Sequence, residues 1–355
     1  MQPVRLPLDI PSLLPPYLLD RLARRAQEPV SSRARNTLRL DETLRTVRAS
    51  ARGDGLFTRQ PGTSEPGRSD RSIHTARQGT ELPGLQVRAE GQPPTGDVAA
   101  DEAYEYLGAT YALFWNVYGR HSIDDRGMPL IGTVHYGQHY ENAFWDGRQM
   151  VFGDGDGEIF NRFTIAVDIV GHELCHGVIE HEAALVYRGQ PGALNESISD
   201  VFGVLVRQHL LGQSAEQADW LIGAGLFTDV VQARALRSMS APGTAYDDAL
   251  LGRDPQPAHM RDFMDTHEDN GGVHINSGIP NKAFHLLATR LGGPAWDKAG
   301  RIWYDTLCDT RLTAQADFLT FATLTADNAL RRYGSGSLEH QTVMAAWQDV
   351  GVPVT

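Results

Sequence analysis

The run His172-Glu173-Leu174-Cys175-His176 places two imidazoles four residues apart with a carboxylate beside the first. On a helix turning about 100° per residue, the rings lie one turn apart and about 40° from each other around the axis, so both can reach one ion. Glu173 falls off that line, which suits a carboxylate that handles a water rather than the ion itself. A metal held by two imidazoles needs a third protein ligand and one open position. Glu196 fills that place, separated from His176 by nineteen intervening residues, on a segment from Ala193 to Gly203 in which Leu194, Ile198, Val201 and Phe202 have helical spacing. Asp200, one turn after Glu196, faces the same way and is placed to accept the second ring N–H of a ligand histidine. The bland reading, a helix with two surface histidines, leaves Glu196 and Asp200 in register without a reason. Cys175 is a soft ligand by type, but free cysteine is usually a small buried hydrophobe and the ligand set is complete without it.

The elements that must position these residues follow from periodicity. Pro15 and Pro16 suit a helix start, and Leu18, Leu19, Leu22 and Ala26 form an apolar stripe opposite Arg21, Arg24 and Arg25. This short helix has too few partners to make a core alone, so it leans on something else. From about Ser50 to Gly96 the chain is rich in Gly, Pro, Ser, Thr and Arg, the composition of a linker or exposed loop where proteases cut. Residues 99–119 predict a helix closed by glycine, and 130–136, 143–145 and 149–152 predict short strands between turns. Gly153-Asp154-Gly155-Asp156-Gly157 reads as a tight turn: a phosphate loop lacks its Lys-Ser/Thr, and a calcium loop lacks a glutamate at its twelfth position, Ile165. Beyond Asp200, helical periodicity covers 194–212, 216–227, 276–292, 297–309, 314–333 and 338–350. The expected class is α+β, a β-rich half and a helical half with the metal helix between them and the site in the cleft.

Composition narrows the function classes. The formal charge is −12, from 44 acidic and 32 basic residues, and residues 1–60 hold eleven Arg against six acids, +5, leaving −17 for the rest. A basic leader on an acidic body is compatible with intramolecular docking, and no basic stripe favours nucleic acid. No apolar run approaches the ~20 residues of a membrane span. Pro3, Pro7 and Asp9 interrupt any secretory h-region, so export by another route and an intracellular life both stay open. Two cysteines, Cys175 and Cys308, are too few for a disulfide framework.

With the ligand set in hand, the chain resembles the thermolysin-family neutral metalloproteases, and within them the protealysin-like group. The likeness runs over roughly residues 70–355 and is carried by Tyr140-Glu141-Asn142-Ala143-Phe144-Trp145, Met150 to Gly157, Gly171 to Val178, Gly192 to Asp200, Leu236-Arg237-Ser238-Met239 and Asp269 to Gly278. Pro15-Pro16-Tyr17-Leu18-Leu19 is similar to the short propeptide of protealysin-like precursors. The resemblance implies a zinc-dependent neutral endopeptidase made as a zymogen, with residues 1–50 as propeptide, 51–72 as linker with the maturation site, 73–180 as the β-rich subdomain and 181–355 as the helical one. It assigns one catalytic zinc to His172, His176 and Glu196, with Asp200 behind them. Glu173 becomes the general base, His274 and Tyr187 the donors to the oxyanion, and Asp269 the carboxylate that orients His274. Arg237, Asn142 and Ala143 would bind substrate backbone, and Phe163, Ile169 and Leu236 would wall an apolar pocket, implying cleavage before Leu, Ile, Val or Phe.

One departure from the family pattern concerns calcium. Asp168 and Asp219 stand at the double calcium site, but Arg207, Leu221 and Ala224 occupy places where other acids are expected. Oxygen ligands are too few for two close ions, so the double site is expected to be absent, with Arg207 pairing with Asp168. The implied partners are peptide or protein substrates and the chain's own propeptide as intramolecular inhibitor, with no nucleic acid, no membrane and a monomeric state. Secretion is the family expectation, with cytoplasmic retention as its alternative. The competing class is a non-catalytic binding protein on a protease fold, which the loss of Glu173 or of a ligand would favour; all are present. Cleavage of the leader is expected between roughly Val47 and Arg71.

Overall fold

Pro15 and Pro16 preset the backbone angle of a first helical turn, and α1 (Pro16–Arg25) begins there. A computed structural model describes residues 11–53 and 64–354, with only the backbone of 45–53. The expected apolar stripe of α1 is buried at Leu18, Leu19 and Leu22, while Asp20 and Arg24 pair in solvent at 3.0 Å. α2 (Val30–Gly53) packs on α1. Residues 47–53 of the expected cleavage range continue this helix, and 54–63 lie outside the described residues.

The stretch read as linker contains two strands, β1 (Arg71–Thr75) and β2 (Leu85–Ala89), paired antiparallel. Their signal is hidden because Ile73 is the one buried residue of β1 and Leu85 is half exposed, so neither shows an apolar alternation. α3 (Val98–Tyr118) starts on Asp97, whose carboxylate accepts from the amides of Ala99 and Ala100, and stops on Gly119 in the left-handed conformation. β3 (Leu130–Val134), β4 (Ala143–Trp145) and β5 (Met150–Phe152) complete a sheet of order β2-β1-β3-β5-β4. β1, β3 and β5 run parallel, and β4 lies antiparallel at the edge. The Gly153–Gly157 segment is a turn: Asp156 Oδ1 accepts from the amides of Glu158, Ile159 and Phe160 at 2.8 to 3.0 Å.

His135, just past β3, ties this turn to α3. Its Nδ1 meets Asp154 and its Nε2 meets Asp97, each at 2.8 Å. The Asp154 hydrogen bond leads the causes that raise its pKa to about 9, against the opposing effect of burial and with help from Asp97. A raised folded-state value means that the stabilisation is complete below the ordinary value near 6.5 and is lost as pH rises through about 9. The melting temperature should therefore fall from pH 6.5 to 9.5 by about 1–2 °C more in the native chain than in His135→Gln. Parallel curves in a pH series of thermal melts would show that the clamp carries no stability.

α4 (Val167–His181) and α5 (Gly189–Leu211) pack closely where Gly171 meets Gly203. A Cβ at Gly203 would stand 2.4 Å from the Asp168 carbonyl oxygen, which is helix backbone and has no room to yield. Gly203→Ala is expected to lower stability by about 1–3 kcal/mol by forcing the helices apart, read as a lower denaturation midpoint at constant zinc.

After α5 the chain is not helical over 216–227. Leu221–Ile222 (β6) pairs antiparallel with Arg237–Ser238 (β7), and Gly223 and Gly225 take φ of 69° and 87°, outside any right-handed helix. α6 (Asp269–Asn276), α7 (Gly278–Leu291), α8 (Lys298–Leu307), α9 (Phe318–Tyr333) and α10 (Leu338–Asp349) build the helical half. One core joins α5 with α7–α10; a second lies under the sheet and takes in Leu13, Leu14, Leu18, Leu19 and Leu22 of the leader. Among the described residues no helix is long and apolar enough to cross a membrane.

Candidate functional site

α4 carries His172, Glu173 and His176 on its buried side, and α5 brings Glu196 and Asp200 against them. The outer nitrogens of both rings are held. His172 Nδ1 donates to Asp200 Oδ1 at 2.8 Å, and His176 Nδ1 donates to Asn195 Oδ1 at 2.8 Å with Ser199 Oγ at 3.0 Å. Those partners set the tautomers, leaving both Nε2 lone pairs facing inward, 3.0 Å apart. Glu196 closes the triangle, with one oxygen 3.6 Å from His172 Nε2 and the other 3.5 Å from His176 Nε2.

Two imidazoles and a carboxylate converging in a buried space are a donor set suited to zinc. Glu196 Oε2 has no hydrogen-bond partner, and its nearest cation-forming neighbour besides His172 is His274 Nε2 at 3.4 Å. Glu173 lies within 4.8 Å of the ring nitrogens, but the close contacts of the rings go to Glu196. Both Glu173 oxygens are buried and unpartnered. Burial, then the neighbouring Glu196 charge, push its carboxyl well above the usual range, which is how an enzyme prepares a proton acceptor. Cys175 points away, its thiol 3.8 Å from the Ile198 carbonyl, and burial pushes it well above the ordinary thiol range.

The opposite wall is His274 and Tyr187. Asp269, Asn270, Gly271 and Gly272 all have positive φ, 51° to 84°, and this left-handed run folds Asp269 back over the start of the α6 helical turn. The carboxylate then takes His274 Nδ1 at 2.6 Å and the His274 amide at 2.8 Å. Burial alone would lower the His274 pKa, but Glu196 and Asp269 outweigh it and raise it to about 9. Tyr187 donates to Glu196 and lies 3.2 Å from His274 Nε2. Arg237 is buried and makes two bonds to Asp200, 2.8 and 2.7 Å, while Asn281 adds a third at 2.9 Å. Burial would raise Asp200, yet Arg237 and His172 hold it far below the usual carboxylate range.

The leader occupies the cleft. Ser12 pairs antiparallel opposite Phe144 of β4, and the Leu13 amide donates to the Ala143 carbonyl at 3.0 Å. Arg237 Nη1 reaches the Leu13 carbonyl at 3.2 Å, and the Leu14 amide donates to Asn142 Oδ1 at 2.9 Å. His274 Nε2 meets the Ser12 carbonyl oxygen at 2.9 Å. Leu13 and Leu14 are fully buried in the cluster that contains Phe163, Ile169 and Leu236. Behind this strand, Thr37 accepts from the Glu141 amide at 3.1 Å, and Asp41 holds Tyr140 at 2.5 Å and Asn142 Nδ2 at 3.1 Å. All the residues expected at the site are therefore brought together.

The thermolysin metallopeptidase catalytic domain matches residues 73–180, and the thermolysin metallopeptidase alpha-helical domain matches 183–352. This chain belongs to the thermolysin family. It is 56% identical over 344 residues to an extracellular metalloprotease of Pectobacterium carotovorum, covering 97% of this chain and 96% of that one. Against a thermolysin of Alicyclobacillus acidocaldarius it is 38% identical over 313 residues, 85% of this chain and 52% of the other. The precursor of protealysin, a metalloproteinase from Serratia proteamaculans, superposes with a TM-score of 0.88 at 56% identity, covering 96% of this chain and 99% of that chain. The protein is thus a protealysin-like zinc metalloendopeptidase with the thermolysin fold in its two halves.

In this thermolysin-family chain the expected Arg207–Asp168 pair is not made. Arg207 binds Asp219 through two contacts, 3.0 and 2.7 Å, at the half-exposed rim, whereas Asp168 is buried and accepts from the Gly223 amide at 2.5 Å. The backbone of the Gly223 turn reaches Asp168 first, and the long Arg207 side chain keeps its head near water. The sequence reading also missed Asn195, Ser199 and Asn281, which support the histidines and Asp200. Asn195 and Ser199 are one turn apart, the residues just before Glu196 and Asp200, a spacing that would have revealed them. Glu141 was missed as well: under the leader, burial and Asp156 raise its carboxyl to about 9, and neither oxygen has a partner.

Proposed function

We propose that the chain is a zymogen in which residues 1–50 are a leader that inhibits by lying in the cleft as an extended peptide, with residues 51–72 as the linker to be cut. The observation that carries this reading is the antiparallel seat of Ser12–Leu13–Leu14 on Ala143 and Asn142, a strand added to a sheet edge as a substrate would be. The Leu13 amide, the Leu13 carbonyl and the Leu14 amide meet Ala143, Arg237 and Asn142, which the family resemblance assigns to substrate.

In the leader-free enzyme His172, His176 and Glu196 would hold zinc, with Asp200 and Asn195 fixing the two rings. When bound, the ion supplies Lewis-acid polarisation of a carbonyl and acidifies a water. Glu173 takes the proton of the attacking water and hands it to the leaving nitrogen. His274, oriented by Asp269, and Tyr187 donate to the carbonyl oxygen as charge develops there. Asn142 and Ala143 hold the chain in register, and Arg237 takes the carbonyl of the residue after the cut. The leader residue whose carbonyl Arg237 holds is an apolar Leu13, buried in the cluster that contains Phe163, Ile169 and Leu236, which supports cleavage before Leu, Ile, Val or Phe. Residues 73–180 and 181–355 would act as the two catalytic subdomains. Secretion of the enzyme is proposed from relatives named extracellular metalloproteases.

A tethered inhibitor acts at an effective concentration of order mM, so even an affinity of about 10 µM keeps roughly 99% of the sites closed. Cutting the linker and removing the leader should raise kcat/KM on a blocked peptide, with Leu after the scissile bond, by about 100-fold or more. Equal activity of intact and leader-free protein, at equal zinc content, would end the zymogen reading. Cleavage on the amino side of charged residues would end the specificity reading.

A further inference from the structure

An inhibitory segment can block a cleft by lying backwards or out of register; this one does neither. The chain runs in the direction that puts Ser12 O against His274 Nε2, Leu13 N on Ala143 O and Leu13 O on Arg237, at 2.9, 3.0 and 3.2 Å. The Ser12 carbonyl thus points at the oxyanion donor, and the Leu13 nitrogen, the leaving atom of that peptide bond, is anchored on Ala143 in the same residue whose carbonyl Arg237 holds. The Leu13 side chain is fully buried in the same apolar cluster as Phe163, Ile169 and Leu236. We propose that the Ser12–Leu13 peptide bond is a cleavage site of the chain's own active centre, cut within the same molecule and separate from the cut in the linker. The inference rests on the proposed function above and adds the bond, its direction and its consequence.

The reaction is an ordinary hydrolysis. Water adds across the bond, its oxygen ending on the Ser12 carbonyl carbon; the carbon–nitrogen bond breaks; Glu173 carries one proton to the Leu13 nitrogen, and the new carboxyl loses the other. The products are residues 1–12 and a chain beginning at Leu13. Inhibition should outlive the cut. Leu13 and Leu14 remain joined to α1, whose Leu18, Leu19 and Leu22 are buried in the body and whose Arg21 donates to the Leu251 carbonyl at 2.8 Å. The side of the segment beyond the cut is the docked side, so the nicked leader stays in place as a bound product.

The test uses the full-length protein, purified in chelator, given equimolar zinc and quenched in acid at intervals for intact mass and N-terminal sequencing. Bound zinc is counted separately. Expected are the 1–12 peptide and a chain starting at Leu13, formed with a half-time unchanged over a hundredfold range of protein concentration. None should form in Glu173→Ala, and the rate should drop about tenfold or more in Leu13→Gly, which removes the buried side chain. Hydrolysis of an external blocked Leu peptide should stay below a tenth of that of the leader-free enzyme while the linker is intact. An uncut Ser12–Leu13 bond in zinc-loaded protein, with leader-free enzyme active on the external peptide, would overturn this inference and leave the proposed function standing. A rate proportional to protein concentration would overturn it too, by assigning the cut to a second molecule. Zinc-loaded leader-free protein inert on the external peptide would instead overturn the proposed function itself.

Discussion

Glu173→Ala is expected to lower kcat on a blocked Leu peptide by about 10²–10⁴-fold, with zinc content unchanged and KM nearly so. The close contacts of the two ring nitrogens go to Glu196, and the groups that would seat a peptide are Asn142, Ala143 and Arg237, so neither binding step would use the lost carboxylate. The fold should tolerate the change. Glu173 is buried with both oxygens unpartnered, and burial already disfavours its charge, so removing it relieves a desolvation penalty rather than breaking a bond. The melting temperature should hold or rise. A loss of activity smaller than tenfold in purified, zinc-loaded variant would remove Glu173 from the role of base; a loss accompanied by absent zinc would make it a ligand.

Arg237→Leu has the larger structural effect. The guanidinium and Asp200 form a buried two-contact pair, and deleting the cation strands the carboxylate in the interior with His172 and Asn281 as its remaining partners. Breaking such a pair costs about 3–5 kcal/mol, so the denaturation midpoint should drop by several degrees. The same substitution removes the contact to the Leu13 carbonyl and should raise KM for peptides. A second substitution separates the two effects. In Arg237→Leu/Asp200→Asn much of the stability should return, because no unpaired charge remains, while KM stays high and zinc affinity falls about 10–100-fold as His172 loses its orienting carboxylate. If the double variant is no more stable than the single one, the stranded charge is not the source of the loss.

Much of this site was legible in the chain because its key spacings are local. His172 and His176 are four residues apart, as are Glu196 and Asp200, so helical geometry alone puts each pair on one face, with Glu173 beside the first. The class of chemistry follows from those residue types. His274, Tyr187, Arg237 and Asn142 were different: nothing local in their spacing ties them to the zinc helix, and they entered through resemblance over long motifs. The reading went wrong where local signals were weak or ambiguous. The helical period over 216–227 was overridden by Gly223 and Gly225 and by the pairing of β6 with β7. β1 and β2 were lost in a polar, Gly-rich and Pro-rich stretch because sheet pairing, not an apolar alternation, makes them strands. Arg207 was given the wrong acid because both Asp168 and Asp219 were plausible by charge.

By itself the sequence determined which residues share a helix face, that two imidazoles can reach one ion with one more carboxylate available as ligand, and that the basic leader has an apolar stripe in need of a partner. Periodicity decides these, since 3.6 residues per turn is a property of the backbone. Only the tertiary structure decided what lies across a gap. It set α5 against α4 through Gly203, so that Asp200 serves both His172 and Arg237. It also aligned the leader with β4 in one direction and one register, placing the Ser12–Leu13 bond under His274. A strand's register is chosen by the pocket that its side chains fill and the backbone groups left free at an edge, and neither exists until the sheet and the cleft have formed.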